Sequence, residues 1–299
     1  MRVLVTGARG FVGQHAVRQL AARGDTVVGI ARDVGDAPDT PNVVWERGDL
    51  LDEAAVDAVI ARHRPTHLLH LAWVTDPGTY WTSPDNAWWA ERSAQFFEFF
   101  ATHGGERAVG AGTCAEYDWS GSTFDETETA RPSTVYGLAK DDAHAALAAT
   151  AARTGLSHAW GRIFFLYGPG EDGRRFVPSI AHAVLRGLPA VCRKPSLVRD
   201  WLHVHDVAAA FVALLDSAID GPCNISAGRA ASLGDVARRI AEAAGRPDLL
   251  ELGDAPPAPG EPQRIVGVPG RLMRVWHPSM TLDDGIASTV AYWRATLSA

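Results

Sequence analysis

Residues 2–13 read RVLVTGARGFVG, and this stretch decides the class of fold. Residues 2–6 predict a short buried strand, and apolar residues at helical spacing follow the glycines. Gly7 permits a tight turn, Gly10 lets the backbone approach a pyrophosphate, and Gly13 allows close packing of the helix. Because the N-terminus of a helix offers free amides to an anion, the stretch predicts a dinucleotide-binding loop. The alternative is a glycine-rich turn that holds no ligand.

Strands and helices continue to alternate along the first half of the chain. The pattern predicts further strands at 26–30, 43–46, 67–71, 107–110 and 157–166, and helices at 11–23, 53–62, 84–103 and 135–154. Such alternation is typical of a doubly wound parallel sheet. We therefore expect an α/β fold of the Rossmann type.

The alternation loosens after residue 167. Short helices are predicted at 178–186, 206–217 and 233–244, a proline-rich loop at 254–269, and a final helix at 283–297. We expect residues 1–167 to form the dinucleotide-binding domain, to which residues 199–218 return. Residues 168–299 are expected to form mainly a smaller α/β domain that binds the substrate.

The composition excludes several classes of protein. The chain has 299 residues, of which 46% are hydrophobic and 21% are charged, and 28 basic against 35 acidic residues give a net charge of −7. This balance argues against a nucleic-acid platform. The three cysteines, Cys114, Cys192 and Cys223, are too scattered for a disulfide framework or a thiolate metal site, and we expect no metal. The sequence contains neither a secretory leader nor a long apolar run, so we expect a cytoplasmic protein without membrane contact.

The end of the second strand bears on the choice of cofactor. Enzymes that use NAD usually keep an acidic side chain there to bind the adenosine ribose, whereas this chain has Ala31 followed by Arg32. A cation at this place suits the additional phosphate of NADP, and Arg9 in the glycine loop offers a second positive contact. We therefore expect NADP(H) rather than NAD(H). The alternative is that both arginines are solvated surface charges.

An acid/base group is predicted on the helix over residues 135–154. Tyr136 and Lys140 are four residues apart and so share one helix face. Lowering the pKa of a phenol by about three units requires roughly 4 kcal/mol of preferential stabilisation of the phenolate. An ammonium one turn away and an oxidised nicotinamide provide such a field. Thr113, at the end of a strand, supplies a hydroxyl to hold the reacting oxygen of the substrate.

Several motifs together resemble the extended short-chain dehydrogenase/reductase family of nucleotide-sugar enzymes. They are TGARGFVG at 6–13, His70-Leu71-Ala72, TCAEY at 113–117, YGLAK at 136–140, YGPG at 167–170 and RDWLHVHD at 199–206. The resemblance implies that Thr113, Tyr136 and Lys140 are catalytic, with Lys140 also reaching the nicotinamide ribose. The cofactor-binding residues expected from the loop and the resemblance are Gly7, Arg9, Gly10, Phe11, Val12, Gly13, Arg32, Asp49, Leu50, Leu71, Ala72, Tyr136 and Lys140. Asp49 and Leu50 are expected at the adenine, although Asp49 is equally suited to capping a helix.

The same resemblance implies a nucleotide diphosphate-sugar substrate and a homodimer. Arg199 is then expected on the diphosphate, and Arg174 and Arg175 near the nucleotide. The helices near 84–103 and 135–154 are expected to form a four-helix dimer interface.

Two departures from the family and a set of aromatic residues bear on the substrate. Phe165 replaces an Asn that many relatives use on the diphosphate, and Cys114-Ala115 replace the Asp-Glu pair of sugar 4,6-dehydratases. Trp73 and Tyr80 are the candidates for stacking on a deoxysugar, whereas Trp88 and Trp89 suit the core or the dimer interface. Glu116 is either an additional carboxylate that assists proton transfer or a surface charge. His203 and His205 spell an HxH without a third ligand, which favours a structural role.

These observations lead to one main hypothesis and two alternatives. The main hypothesis is an NADPH-dependent reductase of a nucleotide-linked 4-keto-6-deoxyhexose, in which Tyr136 donates the proton and Thr113 steadies the alkoxide. The first alternative is a nucleotide-sugar 4-epimerase that retains NAD(P). The second is a non-catalytic NADP-binding sensor or scaffold.

Overall fold

The computed structural model describes residues 1–50 and 52–298. Its strands are β1 (Arg2–Thr6), β2 (Thr26–Ala31), β3 (Val43–Arg47), β4 (His67–His70), β5 (Arg107–Thr113), β6 (Thr123–Phe124), β7 (Ser157–Ile163), β8 (Phe165–Tyr167), β9 (Ala190–Cys192), β10 (Val198–His203), β11 (Gly221–Ile225), β12 (Ala230–Ser232), β13 (Leu250–Leu252) and β14 (Arg264–Gly267). Its helices are α1 (Phe11–Ala22), α2 (Glu53–His63), α3 (Asp85–Thr102), α4 (Val135–Thr154), α5 (Phe176–Leu185), α6 (Val204–Asp216), α7 (Leu233–Ala244) and α8 (Leu282–Ser298). Short 3₁₀ turns lie at Cys114–Glu116, Pro247–Leu249 and Leu272–Arg274.

Seven parallel strands form the main sheet, in the order β11-β7-β5-β4-β1-β2-β3. β1 lies between β2 and β4, so the chain reverses its direction of travel across the sheet at this strand. Ligands of open α/β sheets bind at such a switch point, beyond the carboxyl ends of the strands. The predicted doubly wound α/β fold is confirmed, and the glycine loop and Thr113 both lie at this edge.

Helices cover both faces of the main sheet. On one face, α1 and α6 pack against each other, and Val17 and Phe211 share a buried cluster with Val3 of β1. On the other face, α3 packs against α4 over a second cluster that includes Phe97 and Leu147. Apolar burial on both sides explains why the central strands are continuous hydrophobic runs.

The predicted single strand over residues 157–166 is wrong. The chain leaves the main sheet at Phe164, whose amide donates to the Ile225 carbonyl, and β8 then pairs with β10 in a second sheet. β11, which the sequence pattern missed, closes the edge of the main sheet beside β7.

The second sheet has the strand order β12-β10-β14-β6, and β8 also pairs with β10. Three of its strands, β10, β12 and β14, come from the C-terminal part of the chain. β14 lies inside the stretch 254–269, so the prediction of a loop without regular structure there is wrong for Arg264–Gly267. A third buried cluster joins α5, α7 and α8 through Val184, Ile240 and Val290. Among the described residues, no helix combines the length and apolar composition needed to cross a membrane. The three cysteines are buried and unpaired.

Candidate active site

The glycine loop forms a tight backbone cradle between β1 and α1. Gly7 has φ of +63°, and a Cβ there would lie 2.9 Å from the Ala72 amide nitrogen. A Cβ on Gly13 would lie 2.0 Å from the Gly7 carbonyl oxygen, so no side chain fits either position. Gly10 precedes α1, and within residues 1–50 and 52–298 no side chain caps this end, which leaves amides of the first turn for an anion.

The segment after β4 closes the cradle. The Thr6 hydroxyl accepts hydrogen bonds from the amides of Leu71 and Ala72, at 3.2 and 3.3 Å. The structure thus brings the expected cofactor residues of the loop and of the HLA motif together. A cradle that a Cβ would fill, at an uncapped helix end, fits a dinucleotide pyrophosphate.

Two arginines lie at the edge where the adenosine end of a dinucleotide is expected. Arg32 is exposed directly after β2. Arg9 donates to the Asp33 carbonyl at 3.0 Å and forms an ion pair with Asp36. Arg9 is therefore partly engaged by its own chain, through contacts that the sequence alone does not indicate.

Asp49 does not cap α2. The cap is Asp52, whose carboxylate accepts from the Ala55 amide at 3.2 Å. Leu50 is half-buried and packs against the cluster beneath α2 and α3. The interpretation of Asp49 as a helix cap is wrong, and its expected contact with adenine stays a prediction.

Tyr136 and Lys140 lie on the buried face of α4, one turn apart. Thr134 caps the helix by accepting from the Gly137 amide at 3.0 Å. A Cβ on Gly137 would lie 2.3 Å from the Ala115 carbonyl oxygen, so this glycine allows α4 to approach the turn that follows Thr113. The three expected catalytic residues are thereby gathered at the end of β5.

Lys140 is held at a defined place. Its ammonium donates to the Ala111 carbonyl at 2.9 Å and lies 3.8 Å from the centroid of the Trp73 ring. Burial lowers the pKa of Lys140 to about 7. A small change in its surroundings therefore decides whether this group carries a charge near neutral pH.

Burial has the opposite effect on the phenol. It raises the pKa of Tyr136 above its ordinary value, and a hydrogen bond with the Thr113 side chain acts to lower it. Without a bound cation or an additional donor the phenol is protonated at neutral pH. The site thus supplies a proton donor in this state, and becomes a base when positive charge is added nearby.

Aromatic rings surround Tyr136. Tyr80 and Trp81 lie with ring centroids 4.9 and 5.4 Å from the Tyr136 ring, and the Trp81 carbonyl accepts from the Tyr136 amide at 3.3 Å. Trp119 stands edge-on to Trp81 at 5.8 Å and donates its indole N–H to the Cys114 carbonyl. Trp119 was missed by sequence reasoning, although its position six residues after Thr113 places it near the site.

The expected substrate arginines occupy three different environments. Arg199 is buried on β10, donates to the Val198 carbonyl at 2.8 Å and lies 5.2 Å from the Phe165 ring centroid. Arg174 is exposed and forms ion pairs with Asp76 and Asp172. Arg199 is thus shielded from solvent, whereas Arg174 is not.

Arg175 joins the C-terminal region to the aromatic segment. It donates to the Thr75 carbonyl at 3.0 Å, and its guanidinium lies 5.1 Å from the Tyr80 ring centroid. The loop between β8 and α5 therefore lies against the segment that follows β4, and Tyr80 of that segment contacts Tyr136.

Glu116 is not a surface charge, and that interpretation is wrong. Its side chain is fully buried, and the Thr113 amide donates to it at 2.8 Å. The carboxylate faces the backbone beneath Thr113 and is closed off from solvent.

Comparison with known proteins decides the family. The sequence profile described as the NAD dependent epimerase/dehydratase family matches residues 3–228. The chain belongs to this family. The resemblance to extended short-chain dehydrogenases/reductases is confirmed, and the members of this family are NAD-dependent enzymes of the oxidoreductase type.

Relatives in the family include epimerases and dehydratases. The UDP-glucose 4-epimerase of Rhizobium meliloti (strain 1021) is 27% identical over 309 residues, covering 94% of this chain and 93% of that protein. The dTDP-glucose 4,6-dehydratase 1 of Escherichia coli (strain K12) is 26% identical over 349 residues, covering 98% and 92%. The Thermus thermophilus UDP-glucose 4-epimerase in complex with NAD has a TM-score of 0.86 at 31% identity, covering 98% of this chain and 99% of that one.

A second solved relative carries a substrate. The UDP-glucose 4-epimerase of Thermotoga maritima with UDP-glucose has a TM-score of 0.87 at 25% identity, covering 99% of this chain and 100% of that one. The expected preference for NADP(H) finds no support in the Thermus epimerase, which is a complex with NAD. Among the alternatives drawn from the sequence, these relatives favour the 4-epimerase over the reductase.

Proposed function

We propose that the protein is a nucleotide-sugar 4-epimerase that retains its nicotinamide cofactor through the catalytic cycle. The observation that carries this proposal is the gathering of Tyr136, Lys140 and Thr113 at the end of β5, beside a cradle suited to a dinucleotide. Similarity to 4-epimerases over nearly the whole chain supports it. A dehydratase is disfavoured because Cys114 and Ala115 offer no acid or base for the elimination of water.

In the proposed reaction the cofactor provides the hydride chemistry, and residues of the chain transfer the proton and hold the sugar oxygen. When bound, the cofactor supplies a reversible hydride acceptor. The Tyr136 phenolate takes the proton of the sugar 4-hydroxyl, and the phenol later returns it to the 4-keto oxygen. Thr113 holds that oxygen, and the Lys140 ammonium stabilises the phenolate one turn away. Inversion would follow if the 4-keto sugar turned over in the site before hydride was returned to C4, because the face of the ketone that receives the hydride sets the configuration.

The residues expected to hold the cofactor are those of the glycine loop and the HLA motif. Gly7, Gly10 and Gly13 let the backbone contact the pyrophosphate, and Leu71 and Ala72 border the same cradle. We further propose NADP(H) as the preferred cofactor. Ala31 ends β2 without a carboxylate to accept from the ribose, and the adjacent Arg32 is exposed to meet an additional phosphate.

The proposed substrate is a nucleotide diphosphate-sugar with an apolar sugar face. Arg199 is buried beside Phe165 with Glu261 as a distant ion-pair partner at 3.9 Å, and a bound diphosphate would offer its charge a partner shielded from water. Trp73, half-buried beside Lys140, is the proposed ring for a deoxysugar. Tyr80 is buried, and Trp81 and the Arg175 guanidinium cover its ring, so it does not support the stacking role expected from the sequence. A homodimer is proposed through α3 and α4, which pack together and expose Trp88, Val135 and Leu138.

The 4-ketoreductase remains a second candidate because of the same Ala31-Arg32 pair. A net reduction consumes NADPH, whereas an epimerase regenerates its cofactor. The two activities differ in stoichiometry: a reductase oxidises one NADPH for each keto-sugar, and an epimerase inverts C4 of many sugars for each bound cofactor.

The test uses purified protein with UDP-, GDP-, CDP- and dTDP-linked hexoses and deoxyhexoses, in the presence of NAD or NADP. We expect NMR to show inversion at C4 of the sugar. The absorbance of the cofactor should show no net change. Stoichiometric loss of NADPH with 4-keto sugars and no inversion would instead establish the reductase. Cofactor binding without either reaction, together with a Tyr136→Phe variant that behaves as wild type in cells, would establish a scaffold.

A further inference from the structure

A buried polar cluster lies directly beneath Thr113. Its centre is the Glu116 carboxylate, which accepts from the Thr113 amide at 2.8 Å, from the Trp160 indole at 3.0 and 3.1 Å, and from Arg162 Nε at 2.7 Å. Glu116 is fully buried and Arg162 nearly so. Burial raises the pKa of Glu116, and the hydrogen bonds donated by Arg162, Trp160 and Thr113 oppose this by favouring the ionised carboxylate.

Two glycines of β5 make room for the cluster. In the register of the sheet, Gly110 lies opposite Trp160 and Gly112 opposite Arg162. A Cβ on Gly110 would lie 2.3 Å from the Trp160 ring, and a Cβ on Gly112 would lie 2.2 Å from the Trp160 nitrogen and 2.6 Å from Glu116 Oε1. The space above Gly110 and Gly112 is therefore filled by the Trp160 indole and the Glu116 carboxylate. A side chain at either glycine would displace them.

The cluster also touches α4, the helix that carries Tyr136 and Lys140. Ligand atoms of Asp141 and His144 lie within 4.8 Å of each other and of Glu116. His144 stacks on Trp160 with centroids 5.3 Å apart, and burial lowers its pKa to about 4, so it is neutral. These three groups do not make a cation site, because the Arg162 guanidinium already supplies the positive charge at Glu116.

We infer that Glu116 is a positioning residue for Thr113, an inference that rests on the proposed function. The carboxylate fixes the Thr113 backbone at the end of β5 through the amide hydrogen bond, and Arg162 and Trp160 fix the carboxylate from β7. Because α4 packs on the same cluster, the arrangement sets the distance between the Thr113 hydroxyl and the Tyr136 phenol. Glu116 touches neither substrate nor cofactor, since it is closed off from solvent.

The charge of Glu116 also acts on the two catalytic groups of α4. It raises the pKa of Tyr136, as burial does more strongly, and it raises the pKa of Lys140 against the larger lowering by burial. The charged and titratable groups that face Glu116 are Arg162 on β7, Asp141, His144, Tyr136 and Lys140 on α4, and Cys114 and Tyr117 on its own turn. Removing the charge should therefore lower the pKa of both Tyr136 and Lys140 while leaving their positions on the helix unchanged.

The test compares Glu116→Gln with Glu126→Gln. Glu126 is a matched control because it is also a buried carboxylate that accepts from backbone amides, those of Asn224 at 2.7 Å and Arg271 at 2.9 Å. For Glu116→Gln, we expect kcat to fall by about a hundredfold at unchanged KM, since displacement of a positioned group by about 1 Å has this effect. The pH profile of kcat should also move to lower pH. Glu126→Gln should lose thermal stability without changing kcat or the pH profile.

A second variant and a second measurement keep the inference testable if Glu116→Gln folds poorly. Glu116→Asp keeps the charge but shortens the side chain, so kcat should fall without a shift of the pH profile. Hydrogen exchange at the Thr113 amide needs no substrate, and should accelerate in both Glu116 variants but not in Glu126→Gln.

The outcomes separate the two proposals. If the wild-type protein turns over no nucleotide sugar, the proposed function fails, and the exchange rate of the Thr113 amide still decides the inference. Wild-type turnover with unchanged kcat, pH profile and exchange in Glu116→Gln would overturn the inference and leave the proposed function intact.

Discussion

The Lys140 ammonium lies 3.8 Å from the centroid of the Trp73 indole ring. The ammonium also donates to the Ala111 carbonyl at 2.9 Å. The indole is itself held by Asn86, whose side-chain oxygen accepts from the ring nitrogen at 2.9 Å. A negative ring face stabilises an ammonium, so Trp73 opposes the loss of charge that burial imposes on Lys140.

Replacing Trp73 by leucine should shift the alkaline limb of the pH profile. Burial lowers the pKa of Lys140 to about 7, and above this pH the lysine loses the charge that stabilises the Tyr136 phenolate. Removing the ring face disfavours the charged form by about 0.5 to 2 kcal/mol, which lowers the pKa by about one unit. Activity of Trp73→Leu should therefore fall at a pH about one unit lower than in wild type, measured as kcat against pH.

Trp73→Phe is the control for this prediction. Phenylalanine keeps a ring face but loses the hydrogen bond to Asn86. Its alkaline limb should lie between those of wild type and Trp73→Leu. An alkaline limb of Trp73→Leu that coincides with that of wild type would show that the ring does not tune the lysine.

Replacing Tyr136 by phenylalanine should slow turnover strongly while the glycine loop still binds the cofactor. Proton transfer by a positioned side chain contributes about 10²- to 10⁴-fold to the rate, so kcat should fall by this factor. Tyr117→Phe is the matched control, since Tyr117 is buried and its hydroxyl donates to the Asn224 side chain at 2.7 Å. Steady-state kinetics and cofactor titration by tryptophan fluorescence check both variants. Equal losses in the two variants would point to a general effect on folding.

The local parts of the site were predictable from the sequence, and the long-range parts were not. The cradle of Gly7 and Gly13 follows from a strand, a loop and a helix that are adjacent in the chain. The pairing of Tyr136 with Lys140 follows from the spacing of one helical turn. Both depend only on short stretches of sequence.

The surroundings of Thr113 depend on strand register instead. Glu116 meets Arg162 because β7 lies beside β5 with Gly112 opposite Arg162, and nothing within residues 113–117 indicates that register. The sequence therefore left Glu116 open between proton transfer and a surface charge. Trp119 likewise reaches the site only because the turn after Thr113 folds back toward Trp81.

Introducing a carboxylate at the end of β2 should change the cofactor preference. Ala31→Asp places an acceptor where a ribose hydroxyl is expected and repels the additional phosphate of NADP. We expect the Kd for NADP to rise by about tenfold or more and the Kd for NAD to fall, because a charged contact is worth about 1.5 to 3 kcal/mol. Isothermal titration with both cofactors measures the change.

Arg32→Ala should weaken NADP binding and leave NAD binding unchanged, since Arg32 is exposed and its charge is proposed to face only the phosphate. Arg153→Ala, at the far end of α4, serves as a control for the loss of a surface cation. Wild-type protein that binds NAD more tightly than NADP would contradict the proposed preference.

Asp206 shows that a motif residue of the family has a structural task in this chain. It is buried in the first turn of α6 and accepts from the Ser279 hydroxyl at 2.6 Å and from the Ser279 and Met280 amides at 3.1 and 3.0 Å. These bonds tie the segment before α8 to the helix that packs on α1. Asp206→Asn keeps the shape of the side chain, but its NH₂ group would face the Ser279 and Met280 amides, which are donors themselves. We therefore expect the free energy of unfolding to fall by about 2 to 3 kcal/mol. Asp235→Asn, in an exposed cap of α7, should cost less than about 1 kcal/mol. Urea denaturation of both variants measures the difference, and equal losses would show that Asp206 does not anchor the C-terminal segment.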